Sequence, residues 1–267
     1  MKILFISLGC DKNLADSEEM LGLLTGNGHE IVDSEEEADA IVINTCCFIH
    51  DAKEESVNTI LEMAEYKKTG TCKILIVTGC MAQRYKEEIT EEIPEVDAVL
   101  GTTSYGDIVK ALNEAEAGHV FREFKDINAL PEDSGRRVIT TGGHFGYLKI
   151  AEGCDKHCTY CIIPSLRGKF RSVPEERLLK QAEYMASQGV RELILVAQET
   201  TVYGTDLYGK KTLHILLKKL CQIKGIRWIR VLYCYPEEIY DELIQVMKEE
   251  KKICHYLDLP IQHASDR

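Results

Sequence analysis

The chain opens on an apolar run of strand length, Lys2 to Leu8. From Asn13 to Thr25 the period changes: Leu14, Leu21 and Leu24 share one helical face, and Gly26-Asn27-Gly28 stops it. His29 to Val32 reads as a short strand and Ala40 to Asn44 as a buried one. Asp51 to Lys67 follows as a helix with Val57, Ile60, Leu61 and Ala64 turned inward. Lys73 to Thr78 and Val96 to Leu100 read as strands, and Asp107 to Ala117 as a helix. Strands that are apolar throughout, separated by helices, predict a parallel sheet covered on both faces. The expectation is an α/β domain, doubly wound, over residues 1–118.

Periodicity fades across residues 119–146, a linker in which His119 to Phe124 forms a short closing strand. Alternation then resumes. Tyr147 to Ala151, Glu192 to Ala197, Trp228 to Tyr233 and His255 to Pro260 read as strands. Between them lie a helix ending at Gln188, one over Thr212 to Ile223, and one from Pro236 to Glu250. Ser172-Val173-Pro174-Glu175 has the Ser-x-x-Glu spacing of a capping box ahead of the first of these. Four strand-helix units predict a partial, TIM-like β/α barrel over 147–267, with its active site at the carboxyl ends of the strands. A half-built barrel leaves an apolar edge strand, so a fragment of a longer protein is expected.

Composition narrows the chemistry. The 267 residues carry a net charge of -12, which disfavours bare nucleic acid and membrane phosphate and favours a basic protein partner. Only about five apolar residues follow Met1-Lys2, too few for a signal peptide or a membrane span. The eleven cysteines are odd in number and clustered, which points to metal ligation in a reducing cytoplasm rather than to disulfides.

Three of them, Cys154, Cys158 and Cys161, follow the first barrel strand within eight residues. Three thiolates hold one inorganic centre and leave a coordination position open. Zinc is one occupant, with His157 too close to Cys158 to serve easily beside it; a four-iron cluster is the other. Cys10, Cys46 and Cys80 each follow a strand of the first domain, where loops of an open parallel sheet converge and ligands bind. Their shared position predicts a second metal site. Cys47 is ambiguous, and Cys72, Cys221, Cys234 and Cys254 read as structural. Gln198-Glu199, Tyr233, Tyr235 and Gln262-His263 end the later barrel strands and are candidate site residues.

The Cys-x3-Cys-x2-Cys spacing with Tyr160 before the last cysteine resembles the signature of the radical S-adenosylmethionine (SAM) enzymes. That resemblance implies a [4Fe-4S] cluster on Cys154, Cys158 and Cys161, with SAM on the open iron and Tyr160, Gln198 and Glu199 in contact with it. One-electron cleavage of SAM then gives a radical that removes hydrogen from an unreactive carbon. The α/β domain in front makes the whole chain resemble the methylthiotransferases. Gly9-Cys10-Asp11-Lys12-Asn13, Asp16-Ser17-Glu18, Asn44-Thr45-Cys46 and Gly79-Cys80 match that family in order. They imply a second, auxiliary [4Fe-4S] cluster on Cys10, Cys46 and Cys80 that delivers the sulfur.

One branch of that family modifies an aspartate β-carbon in a small-subunit ribosomal protein, the other an adenosine in transfer RNA. The stretches from Glu152 to Ser172, Ala197 to Gly204 and Leu259 to Arg267 resemble the ribosomal-protein branch, with Cys47 and Val173 departing from it. That branch implies a small-subunit ribosomal protein as substrate, a reductant such as flavodoxin or ferredoxin, and no membrane. Arg167, Lys169 and Arg171 read either as a solvated basic stretch or as holders of a substrate carboxylate. The transfer RNA branch, and a non-catalytic iron-sulfur or zinc module, stay open as alternatives.

Overall fold

The computed structural model describes residues 1–132, 135–261 and 265. The chain divides into two compact units, Met1–Val138 with Lys156–Gly168, and Ile139–Asp155 with Lys169–Arg267.

The first unit is built on β1 (Lys2–Ser7), α1 (Asp11–Gly26), β2 (Glu30–Val32), β3 (Ala40–Thr45), α2 (His50–Thr69), β4 (Ile74–Gly79), α3 (Cys80–Arg84), α4 (Glu88–Glu92), β5 (Ala98–Leu100), α5 (Ile108–Glu116) and β6 (Phe121–Glu123). Its six strands pair in parallel in the order β2-β1-β3-β4-β5-β6. The inner strands β3, β4 and β5 are buried on both faces because successive side chains serve opposite cores. Ile41, Ile43, Leu75 and Val77 pack with Ile60, Met63 and Ala64 of α2. Ala40, Val42, Ile74 and Ile76 pack with Met20 and Leu24 of α1 and Leu112 of α5. This explains why β3 and β4 show no polar alternation. The order reverses between β1 and β3, which opens a crevice at their carboxyl ends.

The second unit holds β7 (Phe145–Lys149), β8 (Ala151–Glu152), β9 (Arg171–Ser172), α7 (Glu175–Ser187), β10 (Glu192–Val196), α8 (Thr205–Tyr208), α9 (Leu213–Cys221), β11 (Trp228–Val231), α10 (Asp241–Glu249) and β12 (Ile253–Leu257). One further helix, Ile163–Arg167, comes from the segment that folds with the first unit; in chain order it precedes α7 and is called α6′. The strands β7, β10, β11 and β12 lie side by side in sequence order, all parallel, the succession of a β/α barrel. The pair β8–β9 is a separate antiparallel ribbon.

Several local expectations are corrected. Leu61 is 48% exposed: one residue past the buried Ile60 on a helix is about 100° around the axis, outside a stripe made by Ser56, Ile60, Met63 and Ala64. Ser172 does not cap α7, whose N-cap is Pro174. Ser172 is instead paired into β9, and its Oγ accepts the Gly204 N–H at 2.9 Å. Cys80 opens the helix α3 rather than sitting in a loop. The fourth barrel strand runs over Ile253–Leu257, earlier than expected. Gln262 and His263 lie outside the described residues.

Candidate functional site

The polar residues of the first unit converge on the crevice between β1 and β3. Asn13, two residues into α1, is fully buried. Its Nδ2 donates to Leu8 O at 3.1 Å and to Thr45 O at 2.9 Å, so one side chain holds the loops that carry Cys10 and Cys46. Asn44 Nδ2 donates to Asn13 O and to Ser17 Oγ, both at 2.9 Å. Ser56 fixes Cys46 itself: its Oγ accepts the Cys46 N–H at 3.0 Å and donates to Cys46 O at 2.7 Å. Gly9 has φ +88°, and a Cβ there would stand 2.6 Å from Cys46 Cβ and 3.0 Å from its Sγ. Only glycine permits that approach. Gly79 has φ +93°, and the space a Cβ would need is taken by Asn44 Oδ1 and the Thr45 backbone.

Cys10, Cys46 and Cys80 therefore follow three adjacent strands, β1, β3 and β4. All three thiols are free; Cys10 is exposed, while Cys46 and Cys80 are buried. Burial pushes the Cys46 and Cys80 thiols up; Cys10 raises Cys46 further, and Cys46 and Cys10 together raise Cys80. The nearby Arg167 guanidinium pulls both down. Among the described residues, no three His, Cys, Asp or Glu side chains gather closely enough to share a single ion. Cys47 is buried on the same core as Cys80 and pushed up to about 11, chiefly by burial.

The segment Lys156–Gly168 carries Cys158 and Cys161, both half-buried, with the Cys161 N–H donating to Cys158 O at 3.0 Å. Tyr160 is 69% exposed. The segment is anchored by its helix: Leu166 is part of the core with Cys80 and Met81, and Leu166 O accepts from Thr102 Oγ1 at 2.8 Å. Arg167 is neither solvated nor open to a substrate carboxylate. It is 3% exposed and paired with Asp16, Nη1 to Oδ2 at 2.7 Å. Its Nη2 donates to Asn13 Oδ1. Lys169 is exposed and Arg171 half-buried.

In the second unit Cys154 is half-buried and follows β8. Just before it, Lys149 and Glu152 form a buried ion pair. At the end of β10, Gln198 is half-buried; its Oε1 is enclosed and has no hydrogen-bond partner among the described residues. Glu199 is buried; its Oε1 accepts from Thr201 Oγ1, from Thr201 N at 3.2 Å and from Tyr235 N at 3.3 Å. It thus ties the loop after β10 to that after β11. Tyr233 has φ +56°, rare for a residue with a Cβ. That conformation is held by Asp258 Oδ2, which accepts the Tyr233 N–H at 3.0 Å, and by Thr200 N, which donates to Tyr233 O at 3.0 Å.

Asn13, Asp16, Ser17, Asn44, Ser56 and the anchoring role of Arg167 were not read from periodicity. Asn13, Asp16, Ser17 and Asn44 stand in the family motif without a stated role, while Ser56 has no signal of its own.

Residues 2–101 match the uncharacterized protein family UPF0004, and residues 148–267 match the Radical SAM superfamily. Over 266 residues, all of this chain and 60% of the relative, the sequence is 68% identical to the ribosomal protein uS12 methylthiotransferase RimO of Lachnoclostridium phytofermentans. It is 53% identical to the protein of the same name from Clostridioides difficile, again over 100% of this chain and 60% of the relative. The chain thus spans about 60% of the length of these curated relatives. Among solved structures, the radical SAM methyltransferase TsrM from Kitasatospora setae, with tryptophan and a SAM analogue bound, aligns with a TM-score of 0.63 at 11% identity, over 99% of this chain and 60% of that one. The cobalamin-dependent SAM radical enzyme OxsB, with aqua-cobalamin and SAM bound, aligns at 0.60 and 14% identity, over 97% of this chain and 44% of that one. These two likenesses concern the fold alone. With both family matches in order along the chain, and relatives of one name at this identity, the chain belongs to the radical SAM methylthiotransferase family, in its RimO branch.

Proposed function

We propose that this chain is the cluster-bearing part of an enzyme that inserts a methylthio group at an aspartate β-carbon of ribosomal protein uS12. The observation that carries the reading is the placement of Cys10, Cys46 and Cys80 after three adjacent strands at the sheet's reversal point, in a chain that also carries the Cys154, Cys158, Cys161 motif. The donor set fits a four-iron cluster. A cubane offers a separate iron to each thiolate, so three such ligands need not converge on one point as ligands of a single ion must. With [4Fe-4S] clusters on the two triads, the bound groups supply reductive cleavage of SAM at one site and sulfur at the other.

The chain's own residues supply placement. Asn13 and Ser56 hold the backbone around Cys10 and Cys46 before anything binds. The core around Cys46, Cys47 and Cys80 keeps water from the buried side of that site. Gln198 Oε1 is a buried acceptor, the kind of group that a ligand's N–H or O–H satisfies, and we assign it to SAM; the cysteine motif alone assigns Tyr160 to the same ligand. Glu199 orients the loop from which Gln198 projects. Electrons come from a low-potential carrier of the flavodoxin or ferredoxin kind in the cytoplasm.

Anaerobic reconstitution of the full-length protein tests this. About eight irons per chain are expected from two four-iron clusters, with 5'-deoxyadenosine formed on adding SAM and reductant. Replacing Cys10, Cys46 and Cys80 by alanine should spare SAM cleavage and abolish sulfur insertion. One zinc per chain with intact SAM would sink the enzyme reading. Methylthio loss from transfer RNA alone, in cells lacking the gene, would reject uS12 as the substrate.

A further inference from the structure

Arg167 is a buried cation of the first unit that acts on the Cys46 and Cys80 thiols, and sulfur delivery does not use it. Its position is over-determined. Leu166 seats the helix in the core, Thr102 holds the Leu166 carbonyl, and Asp16 and Asn13 hold the guanidinium. Asn13 Oδ1, which receives Arg167 Nη2, also receives the Cys80 thiol at 3.8 Å. One acceptor therefore joins the guanidinium to the buried thiol.

A buried Arg–Asp pair is costly to assemble, and an apolar pair of the same size often serves stability equally well. This pair is oriented. Asp16 takes Nη1 and Asn13 takes Nη2, and the Cys46 and Cys80 thiols lie within the guanidinium's electrostatic reach. Arginine keeps its charge at any working pH, and its planar fork fixes where that charge sits. Three thiolates on a four-iron core leave the assembly anionic, and one-electron reduction adds a further negative charge. A fixed cation nearby stabilises the reduced form more than the oxidised one.

We propose that Arg167 is a positioning residue for the auxiliary centre: in the metal-free protein it holds Asn13 in place to receive the Cys80 thiol, and its charge sets the reduction potential of a cluster held by Cys10, Cys46 and Cys80. This rests on the two-cluster reading above. It also gives the segment bearing Cys158 and Cys161 a second task, since the charge that tunes one cysteine set is carried six residues beyond the last cysteine of the other.

The test uses full-length protein with Cys154, Cys158 and Cys161 replaced by alanine, so that only the auxiliary site can report. Iron content and electron paramagnetic resonance establish loading, and a redox titration gives the potential. Arg167→Gln should lower the ratio of reduced to oxidised cluster at a fixed potential at least tenfold, a fall of about 59 mV for a one-electron couple. Arg167→Lys, which keeps the charge, should stay well within that shift. Because Arg167→Gln leaves Asp16 buried beside a neutral group, Asp16→Asn with Arg167→Gln is measured alongside; it too should show the lowered potential. If the parent protein loads no four-iron cluster, the reading of Cys10, Cys46 and Cys80 as ligands fails. If it loads and both neutral variants keep its potential, that reading stands and the role of Arg167 is overturned. Loading retained by Arg167→Lys but lost in both neutral variants supports the need for the charge. Loading lost in all three makes Arg167 a structural residue only and overturns the proposal.

Discussion

Asn13 uses its whole side chain: two donors on the Leu8 and Thr45 carbonyls, and one acceptor shared by Arg167 and Cys80. Asn13→Ala removes those bonds together and strands buried groups, so a loss of about 2–3 kcal/mol is expected. Urea denaturation of the apo protein measures it, and iron bound per chain should fall in step. The cysteines outside the two triads behave differently. Burial pushes the Cys221 and Cys234 thiols up to about 11, and Cys234 is fully buried. At neutral pH almost none of either is thiolate, the reactive form. Brief treatment of the native apo protein with an alkylating agent should leave both unmodified by peptide mass spectrometry, with the exposed Cys10 labelled first.

Element by element, what could be read in advance was what burial writes into a period. The strands β3 and β4 show as apolar runs because two cores claim their alternate residues. Short elements carry no such trace. The helices Cys80–Arg84 and Ile163–Arg167 have five residues each, too few to establish a stripe. The box beginning at Ser172 misled because the same serine had a competing partner, the ribbon with Ala151. The placement of Cys10, Cys46 and Cys80 after adjacent strands was legible from the strand ends. The partners of Asp16 and Glu18 were not, since Arg167 and Arg137 arrive from distant sequence. The short helix at Ile163–Arg167 nevertheless matters energetically. Leu166→Ala opens a hole in the core that holds Cys80, and a loss of about 2–5 kcal/mol is expected from equilibrium unfolding.

At the scale of the molecule, the first unit is not one continuous stretch. Lys156–Gly168 belongs to it, although Ile139–Asp155 belongs to the second. That has a consequence in time. As the chain emerges during synthesis, all six strands of the first sheet are made by Glu123, but the place of Leu166 in its core is still open and Arg167 has not reached Asp16. The nest for Cys10, Cys46 and Cys80 is finished only after Cys154, Cys158 and Cys161 have themselves been made. Until residue 167 is made, Cys10, Cys46 and Cys80 lack the Leu166 packing and the Arg167–Asp16 pair that complete their surroundings.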